Sequence, residues 1–250
     1  MPAPAAPKEP DPSETRVAAV KQVLDTKLAQ YGGTWSAPYI DLERGRDVTV
    51  NDEKLVAASL VKLYIMLAVF DGIEHGTITD DANVNALLKQ MITVSSNEAA
   101  NGLLSRIGNG KAAIATVTAT AQRYGFTSSE ELRTLTGMAS GNAVENWTST
   151  RDCGSFLSQV YAGTLVSKNA SERMMQLLLG QTRRTKIPAG VPSGVKVANK
   201  TGELAAVQND VAIVFGTHPY VLAVMSSDIS SAVAPSQITE LSRAVWDAAQ

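Results

Sequence analysis

The chain has 250 residues, of which 44% are hydrophobic and 18% charged, and its formal net charge is −2. These values are those of an ordinary globular protein that forms one large domain or two lobes sharing a core. There is no basic excess to neutralise phosphates, so we expect no nucleic-acid partner. The longest uninterrupted apolar run, residues 63–70, is far too short to span a bilayer.

The supply of metal-binding and disulfide-forming side chains is small. The chain has one cysteine, Cys153, and two histidines, His75 and His218. An internal disulfide, a cysteine-based zinc site and a multi-histidine metal site are therefore ruled out. We expect no metal and no cofactor. A Ser-His-Asp triad would need one of the two histidines, and we interpret both as structural or solvent-facing.

The first twelve residues differ from the rest, because they hold five of the ten prolines. Proline fixes φ and lacks a backbone donor, so residues 1–12 are predicted to form an extended, flexible Ala/Pro-rich tether. A frayed terminus or an expression remnant is the simpler interpretation. We favour a spacer left after removal of an export signal, and hence an exported protein that is secreted, lipid-anchored or otherwise held in the cell envelope. Any membrane tether would lie outside the residues given.

Hydrophobic periodicity predicts the order of the remaining elements. Val17, Val20, Leu24 and Leu28 recur at helical spacing after a possible cap at Ser13. Strands are predicted at 34–41, 47–50, 195–200, 210–216 and 220–226, further helices at 60–70, 82–91, 97–107, 110–124, 150–162, 171–179 and 236–249, and a break at 187–194.

This order predicts an α+β protein in which both ends of the chain build one lobe. We expect a single domain at 13–250, with an α/β lobe at 13–55 and 185–250 and an all-helical lobe at 56–184. Ligands commonly bind in the cleft between two such lobes. We expect the protein to be a monomer.

Ser59 and Lys62 form the first motif of interest, Ser-x-x-Lys at a predicted helix start. A spacing of three places both side chains on the same side of the first turn. The helix N-terminus favours a developing negative charge, and a lysine whose pKa is lowered by burial can take the serine proton. The motif alone is weak, since Ser193 and Lys196 repeat it and Ser59 could simply cap a core helix.

Two further motifs follow. Ser95-Ser96-Asn97 places a hydroxyl and an amide on one side of a turn, although a helix cap would explain it equally well. Lys200-Thr201-Gly202 falls at the end of a predicted strand and suits an anionic ligand lying along that strand. The glycine permits close approach of backbone and ligand, and an exposed strand end with a turn glycine is the simpler interpretation.

In this order the three motifs resemble those of the penicillin-recognising serine enzymes. The surrounding sequences AASLVKL at 57–63, ITVSSNEAAN at 92–101, VANKTGE at 197–203 and PYVLAV at 219–224 are similar to those of class A β-lactamases. The resemblance covers roughly residues 15–248. It implies an antiparallel five-stranded sheet with flanking terminal helices beside an all-helical lobe, and a β-lactam or a D-Ala-D-Ala-type peptidoglycan peptide as substrate.

The resemblance also implies a role for each matching residue. Ser59 would be the nucleophile, Lys62 its base or part of its base network, and Ser95 the group that passes a proton to the leaving nitrogen. The other residues would bind substrate. Asn97 would bind the amide side chain of the substrate, and Lys200 and Thr201 would bind its carboxylate. Gly202 would allow close approach, and the backbone N–H groups of Ser59 and Glu203 would form the oxyanion hole.

The sequence departs from the class A pattern in three places. Ser96 stands where those enzymes usually have aspartate. The Glu-x-x-Leu-Asn signature, whose glutamate activates the deacylating water, is absent between residues 125 and 148, where the glutamate would fall at 133–135. Arg133 and Glu145 could instead clamp this loop by an ion pair. No arginine follows Lys200 on its strand, so Arg183 or Arg184 is a candidate for holding the substrate carboxylate.

Three functions are compatible with these observations. The leading one is a serine enzyme that forms an acyl-enzyme at Ser59 and deacylates slowly, as a penicillin-binding protein, D,D-peptidase or weak β-lactamase. The second is a competent class A-like β-lactamase that uses a displaced carboxylate. The third is a non-catalytic relative that binds envelope components. A pure binder has no need of all three motifs, which argues against the third.

Overall fold

The structure is a computed structural model that describes residues 11–135 and 144–250. The strands are β1 Thr34–Asp41, β2 Asp47–Val50, β3 Lys54–Val56, β4 Trp147–Ser149, β5 Lys196–Leu204, β6 Val207–Phe215 and β7 Tyr220–Ser227. The helices are α1 Pro12–Leu28, α2 Lys62–Glu74, α3 Ala82–Thr93, α4 Asn97–Ile107, α5 Lys111–Arg123, α6 Thr150–Ala162, α7 Lys168–Leu179, α8 Ile187–Gly190 and α9 Ala234–Ala249, with a 3₁₀ helix at Ala58–Val61 before α2.

Five strands form an antiparallel sheet in the order β2-β1-β7-β6-β5, which confirms the predicted fold class. Strand β7 is buried on both faces and therefore reads as a continuous apolar run rather than as an alternation. On one face the sheet packs against α1 and α9 through a cluster that includes Leu24, Ile238 and Leu241. Helices α1 and α9 therefore cover one side of the sheet, as the resemblance implies.

The opposite face of the sheet packs on the helical lobe, which is organised around α2. Residues 62–70 are all buried, so this helix is surrounded by protein on every side. Tyr64, Phe126 and Phe156 form an aromatic cluster with ring centroids 5.6–5.9 Å apart. Because α2 is fixed by this packing, the 3₁₀ turn that precedes it has a defined position between the two lobes. None of the helices within 11–135 and 144–250 is long and apolar enough to cross a membrane.

Several boundaries differ from the sequence-based prediction. Helix α1 begins at Pro12 and is capped by Asp11 rather than by Ser13, because the Asp11 carboxylate accepts from the Ser13 N–H at 3.0 Å. Residues 1–10 of the predicted tether lie outside the described residues. The two three-residue strands β3 and β4 were not predicted, and the predicted break at 187–194 contains the one-turn helix α8, with Pro188 in its first turn.

The difference that matters for the site is the length of β5. We predicted that this strand ends at Lys200, but it continues to Leu204 and pairs with β6 along its whole length. Lys200, Thr201, Gly202 and Glu203 are therefore interior strand residues. Beyond the end of a strand their backbone would be free to shift, whereas hydrogen bonds to β6 hold these four residues in register.

Candidate active site

Ser59 lies in the 3₁₀ helix between β3 and α2, at the junction of the two lobes. The residue before it, Ala58, has a φ of 47°, and Ser95 across the cleft has a φ of 62°. Non-glycine residues in the left-handed region cost energy and are held there only by well-packed surroundings. Both hydroxyl-bearing turns are thus fixed in conformations that an isolated chain would disfavour.

The Lys62 amine lies within hydrogen-bond distance of Ser59, Ser95 and Asn97. Its side chain is fully buried, and its Nζ lies 3.1 Å from Ser59 Oγ, 2.5 Å from the Ser95 carbonyl oxygen, 3.2 Å from Ser95 Oγ and 2.7 Å from Asn97 Oδ1. A neutral amine has two N–H donors and one lone pair. Donation to the two nearest oxygens leaves that lone pair for the Ser59 hydroxyl proton, so the geometry suits a general base.

Lys200 approaches Ser95 from the opposite side. Its Nζ donates to Ser95 Oγ at 2.9 Å and to the Thr201 carbonyl oxygen at 2.7 Å, and its side chain is fully buried. Burial, with the positive charges of Lys62 and Arg183, holds the Lys200 pKa well below its usual value. A substrate carboxylate placed beside Lys200 would favour its charged form again, so anion binding and protonation of Lys200 are coupled.

The pKa of Lys62 is lowered to about 8, chiefly by burial and next by the positive charge of Arg183. Only the neutral amine can accept the Ser59 proton. We therefore expect the acylation rate constant for a penicillin to rise about tenfold per pH unit below pH 8 and to level off above it. Stopped-flow acylation between pH 6 and 9.5 measures this profile. A rate constant that is flat across that range, or that falls with pH, would exclude Lys62 as the base.

The second motif serves two purposes. Ser96 is the N-cap of α4, where its hydroxyl accepts from the Ala99 N–H at 3.1 Å. This position retains a capping oxygen although aspartate is absent. Asn97 begins α4 and has its carbonyl oxygen on Lys62. The simpler interpretation of the motif as a helix cap is thus correct for Ser96, while Ser95 and Asn97 face the lysines.

Strand β5 closes the site opposite Ser59. A Cβ on Gly202 would lie 2.7 Å from the Ala57 carbonyl oxygen and 3.2 Å from the Leu60 nitrogen, so only glycine lets the strand approach the 3₁₀ turn this closely. Thr201 is buried, whereas Glu203 is partly exposed and lines a cavity of about 90 Å³ together with Ser59 and Asn97. All eight predicted site residues are therefore assembled from three separate parts of the chain.

The loop after α5 places a leucine in this cavity. Leu135 is 8% exposed and lines the cavity with Ser59, and its backbone N–H donates to Asn101 Oδ1 at 3.0 Å. Arg133 and Glu145 form the expected ion pair at 2.8 Å. Asn146 holds the same loop by accepting from the Leu132 and Arg133 N–H groups at 2.8 and 3.0 Å. Residues 136–143 lie outside the described residues.

Two further glutamates of this loop, Glu130 and Glu131, are not placed to activate water. Glu130 forms an ion pair with Lys54 at 2.7 Å. Glu131 is 1% exposed, and neither of its oxygens has a hydrogen-bond partner among the described residues. Burial raises the pKa of Glu131 to about 8, against the opposing effect of the Arg133 and Lys62 charges. Glu131 is therefore mostly protonated at neutral pH and is a poor base there. No sequence motif signals this burial.

The two arginines proposed for carboxylate binding differ in placement. Arg184 donates to the Val197 carbonyl oxygen at 2.7 Å and to Asn199 Oδ1 at 3.0 Å, so it supports β5. Arg183 is half exposed and pairs with Glu203 at 2.6 Å. Its positive charge lowers the pKa of both Lys62 and Lys200. Of the two, Arg183 is the one near the cleft.

The remaining side chains of interest lie elsewhere. His75 lies beside Asp71 at the end of α2. His218, in the β6–β7 hairpin, contacts Glu43 at 2.9 Å. Cys153 is fully buried in α6, and this burial raises its thiol pKa to about 12. The second Ser-x-x-Lys copy has both Ser193 and Lys196 exposed to solvent.

The chain is similar to known proteins in sequence and in fold. A sequence model of the β-lactamase enzyme family matches residues 17–86 and 80–249. A search of curated protein sequences found no match. Among solved structures, PBP-A matches with a TM-score of 0.80 and 22% identity over 92% of this chain and 95% of that one. A leucine-to-glutamate variant of PBP-A, solved as its acyl-enzyme complex with penicillin G, matches with a TM-score of 0.80 and 22% identity over 92% of this chain and 96% of that one. A β-lactamase from Sphaerobacter thermophilus matches with a TM-score of 0.78 and 23% identity over 94% and 97% of the two chains.

Proposed function

Because the chain belongs to the β-lactamase enzyme family and is a serine β-lactamase-like hydrolase, we propose that it forms a long-lived acyl-enzyme at Ser59. Its substrates are β-lactams or D-Ala-D-Ala-type peptides. One observation carries the proposal: Leu135 lines the Ser59 cavity beside an otherwise complete set of acylating groups. Acylation is therefore supported by this site, and water activation is not.

The contacts of Lys62 and Ser95 provide a route for the proton during acylation. As Ser59 Oγ bonds to the substrate carbonyl carbon, its proton passes over 3.1 Å to Lys62 Nζ. Lys62 lies 3.2 Å from Ser95 Oγ, which can relay a proton to the leaving nitrogen as the C–N bond breaks. Lys200 keeps Ser95 oriented from the other side. The step needs no histidine and no metal ligand.

The hydrolysis of the resulting ester needs a base beside its carbonyl carbon. A general base contributes about 10²–10⁴-fold to such a step. Leu135 has no acidic or basic group, and the small cavity that it lines is also lined by the Arg133–Glu145 pair. This arrangement supports slow deacylation. The match to PBP-A, whose leucine-to-glutamate variant was solved as a penicillin G acyl-enzyme, agrees with a penicillin-binding role.

A competent β-lactamase with a displaced carboxylate is the second candidate, because Glu145 also lines the Ser59 cavity. Two observations weigh against it. Glu145 is bound to the Arg133 guanidinium, and removing it from this pair would release the loop that both residues hold. Glu131 is buried and lacks a hydrogen-bond partner within the described residues. The first function is therefore the better supported.

A labelling experiment tests the proposal. We expect a fluorescent penicillin to label the protein with one equivalent, and peptide mapping to place the whole mass of the drug on Ser59. The Ser59→Ala variant should remain unlabelled, whereas Ser193→Ala, which removes the serine of the second Ser-x-x-Lys copy, should label normally. An adduct on Ser95 or Ser193, or full labelling of Ser59→Ala, would overturn the assignment.

A further inference from the structure

An ion pair between a buried lysine and a partly exposed glutamate lies at the end of the strand that closes the site. Lys186, in the segment before α8, is 1% exposed. Its Nζ donates to Glu203 Oε1 at 2.9 Å and to the Asn209 carbonyl oxygen at 3.2 Å. Although partial burial opposes ionisation of Glu203, its bonds to Lys186 and Arg183 hold the Glu203 pKa below its usual value, so the carboxylate is charged. Lys186 therefore ties the end of β5 to β6.

The Asn209 side chain continues this connection to the nucleophile. Its Nδ2 donates to the Val56 carbonyl oxygen at 3.0 Å and to that of Ala57 at 3.3 Å, and these residues lead into the turn that carries Ser59. Its Oδ1 accepts from the Ser226 N–H at 3.1 Å, which fixes the amide orientation. Polar contacts thus run from Glu203 through Lys186 and Asn209 to the segment immediately before Ser59.

The two N–H groups expected to hold the oxyanion belong to the two ends of this connection. One is the N–H of Ser59 and the other is that of Glu203, so their separation depends on how β5 sits against the 3₁₀ turn. The strand and the turn lie so close that a side chain at position 202 would clash with the Ala57 carbonyl oxygen. A fixed separation is needed because the donors act only when both point to the place where negative charge develops.

We infer that Lys186 is a positioning residue for the oxyanion hole, acting through Glu203 and Asn209. The inference rests on the proposed acylation at Ser59. Without the Lys186 ammonium, Glu203 keeps only the exposed Arg183 as an ion-pair partner. The end of β5 is then held by its backbone pairing with β6 alone, without the side-chain connection that leads to the turn before Ser59. Small misplacements of groups around a reacting centre can cost about 10²-fold in rate.

The experiment measures acylation by benzylpenicillin in wild type and in Lys186→Met, which removes the charge and keeps the length of the side chain. We expect the maximal acylation rate constant to fall by about 10–100-fold, with less than about a threefold change in the half-saturating concentration. Lys186→Arg should recover part of the loss, since a guanidinium can still reach Glu203. Lys27→Met, which removes a surface pair with Glu240 on the far side of the sheet, serves as the matched control and should acylate normally.

A tetrahedral boronic acid adduct at Ser59 supplies a second readout, because its oxygen occupies the oxyanion hole. We expect its affinity to fall in Lys186→Met by a factor similar to that for acylation. An unchanged maximal rate, or a loss confined to the half-saturating concentration, would overturn the inference while leaving acylation at Ser59 standing. A wild type that is not acylated would instead defeat the proposed function. If Lys186→Met does not fold, Glu203→Gln carries the same test, and a wild-type maximal rate in that variant would overturn the inference.

Discussion

Replacing Leu135 by glutamate is expected to shorten the lifetime of the penicilloyl enzyme by about 10²–10⁴-fold, the usual contribution of a general base. Leu135 lines the Ser59 cavity and is anchored through its backbone by Asn101, so a carboxylate at this position would face the acyl ester. The rate of acylation should change far less, because Lys62 and Ser95 are untouched. Release of penicilloic acid after removal of free drug measures the effect.

The matched control is Leu135→Gln, which has the size of the glutamate without its basicity. We expect this variant to deacylate within about threefold of wild type, since polarity alone does not deprotonate water. Equal acceleration by glutamine and glutamate would show that Leu135 merely blocks water. No acceleration by either would show that position 135 does not face the ester, and the assignment of slow deacylation to this residue would then be wrong.

The second large effect concerns the two lysines, which should fail in different ways. Lys62→Met is expected to lower the acylation rate constant at saturating penicillin by about 10²–10⁴-fold, because the proton acceptor of Ser59 is lost. Lys200→Met should chiefly weaken capture of the substrate carboxylate, at a cost of about 1.5–3 kcal/mol for a charge-assisted hydrogen bond. Methionine keeps the chain length in both cases and so avoids a large cavity.

Stopped-flow acylation over a range of penicillin concentrations separates the maximal rate constant from the half-saturating concentration for each variant. The thermal unfolding midpoint of each variant shows whether a loss of activity is only a loss of fold. Both lysines contact Ser95, so the alternative is that they share one role in proton transfer. Equal reductions of the maximal rate constant in Lys62→Met and Lys200→Met would support that alternative and contradict this division of roles.

The sequence predicted the fold where periodicity was long and unambiguous. Strands β1 and β2 and helices α4 and α6 were predicted with the bounds that the structure shows, because capping residues or turns mark their ends. Strands β3 and β4 have three residues each, too few for an alternation to be recognised. The full length of β5 was also missed, since pairing with β6 extends it beyond Lys200 and no local signal reports that pairing.

The candidate site was predictable to the extent that motifs mark it. Ser59, Lys62, Ser95 and Lys200 belong to recognisable spacings. The structure links them in this order through three polar contacts of 2.9–3.2 Å. Lys186 belongs to no motif, because its role depends on contacts with β5 and β6 that only the folded chain creates. The same holds for the burial of Glu131.

The lifetime of the acyl-enzyme tests the account most directly. The protein is incubated with excess benzylpenicillin, free drug is removed, and intact mass is followed over time in wild type and in Leu135→Glu. We expect the wild-type adduct on Ser59 to persist for minutes or longer while the variant returns to the mass of the free protein much sooner. A wild-type adduct that disappears within seconds, with steady hydrolysis of penicillin that Glu131→Gln or Glu145→Gln abolishes, would contradict slow deacylation and identify a competent β-lactamase with a displaced base.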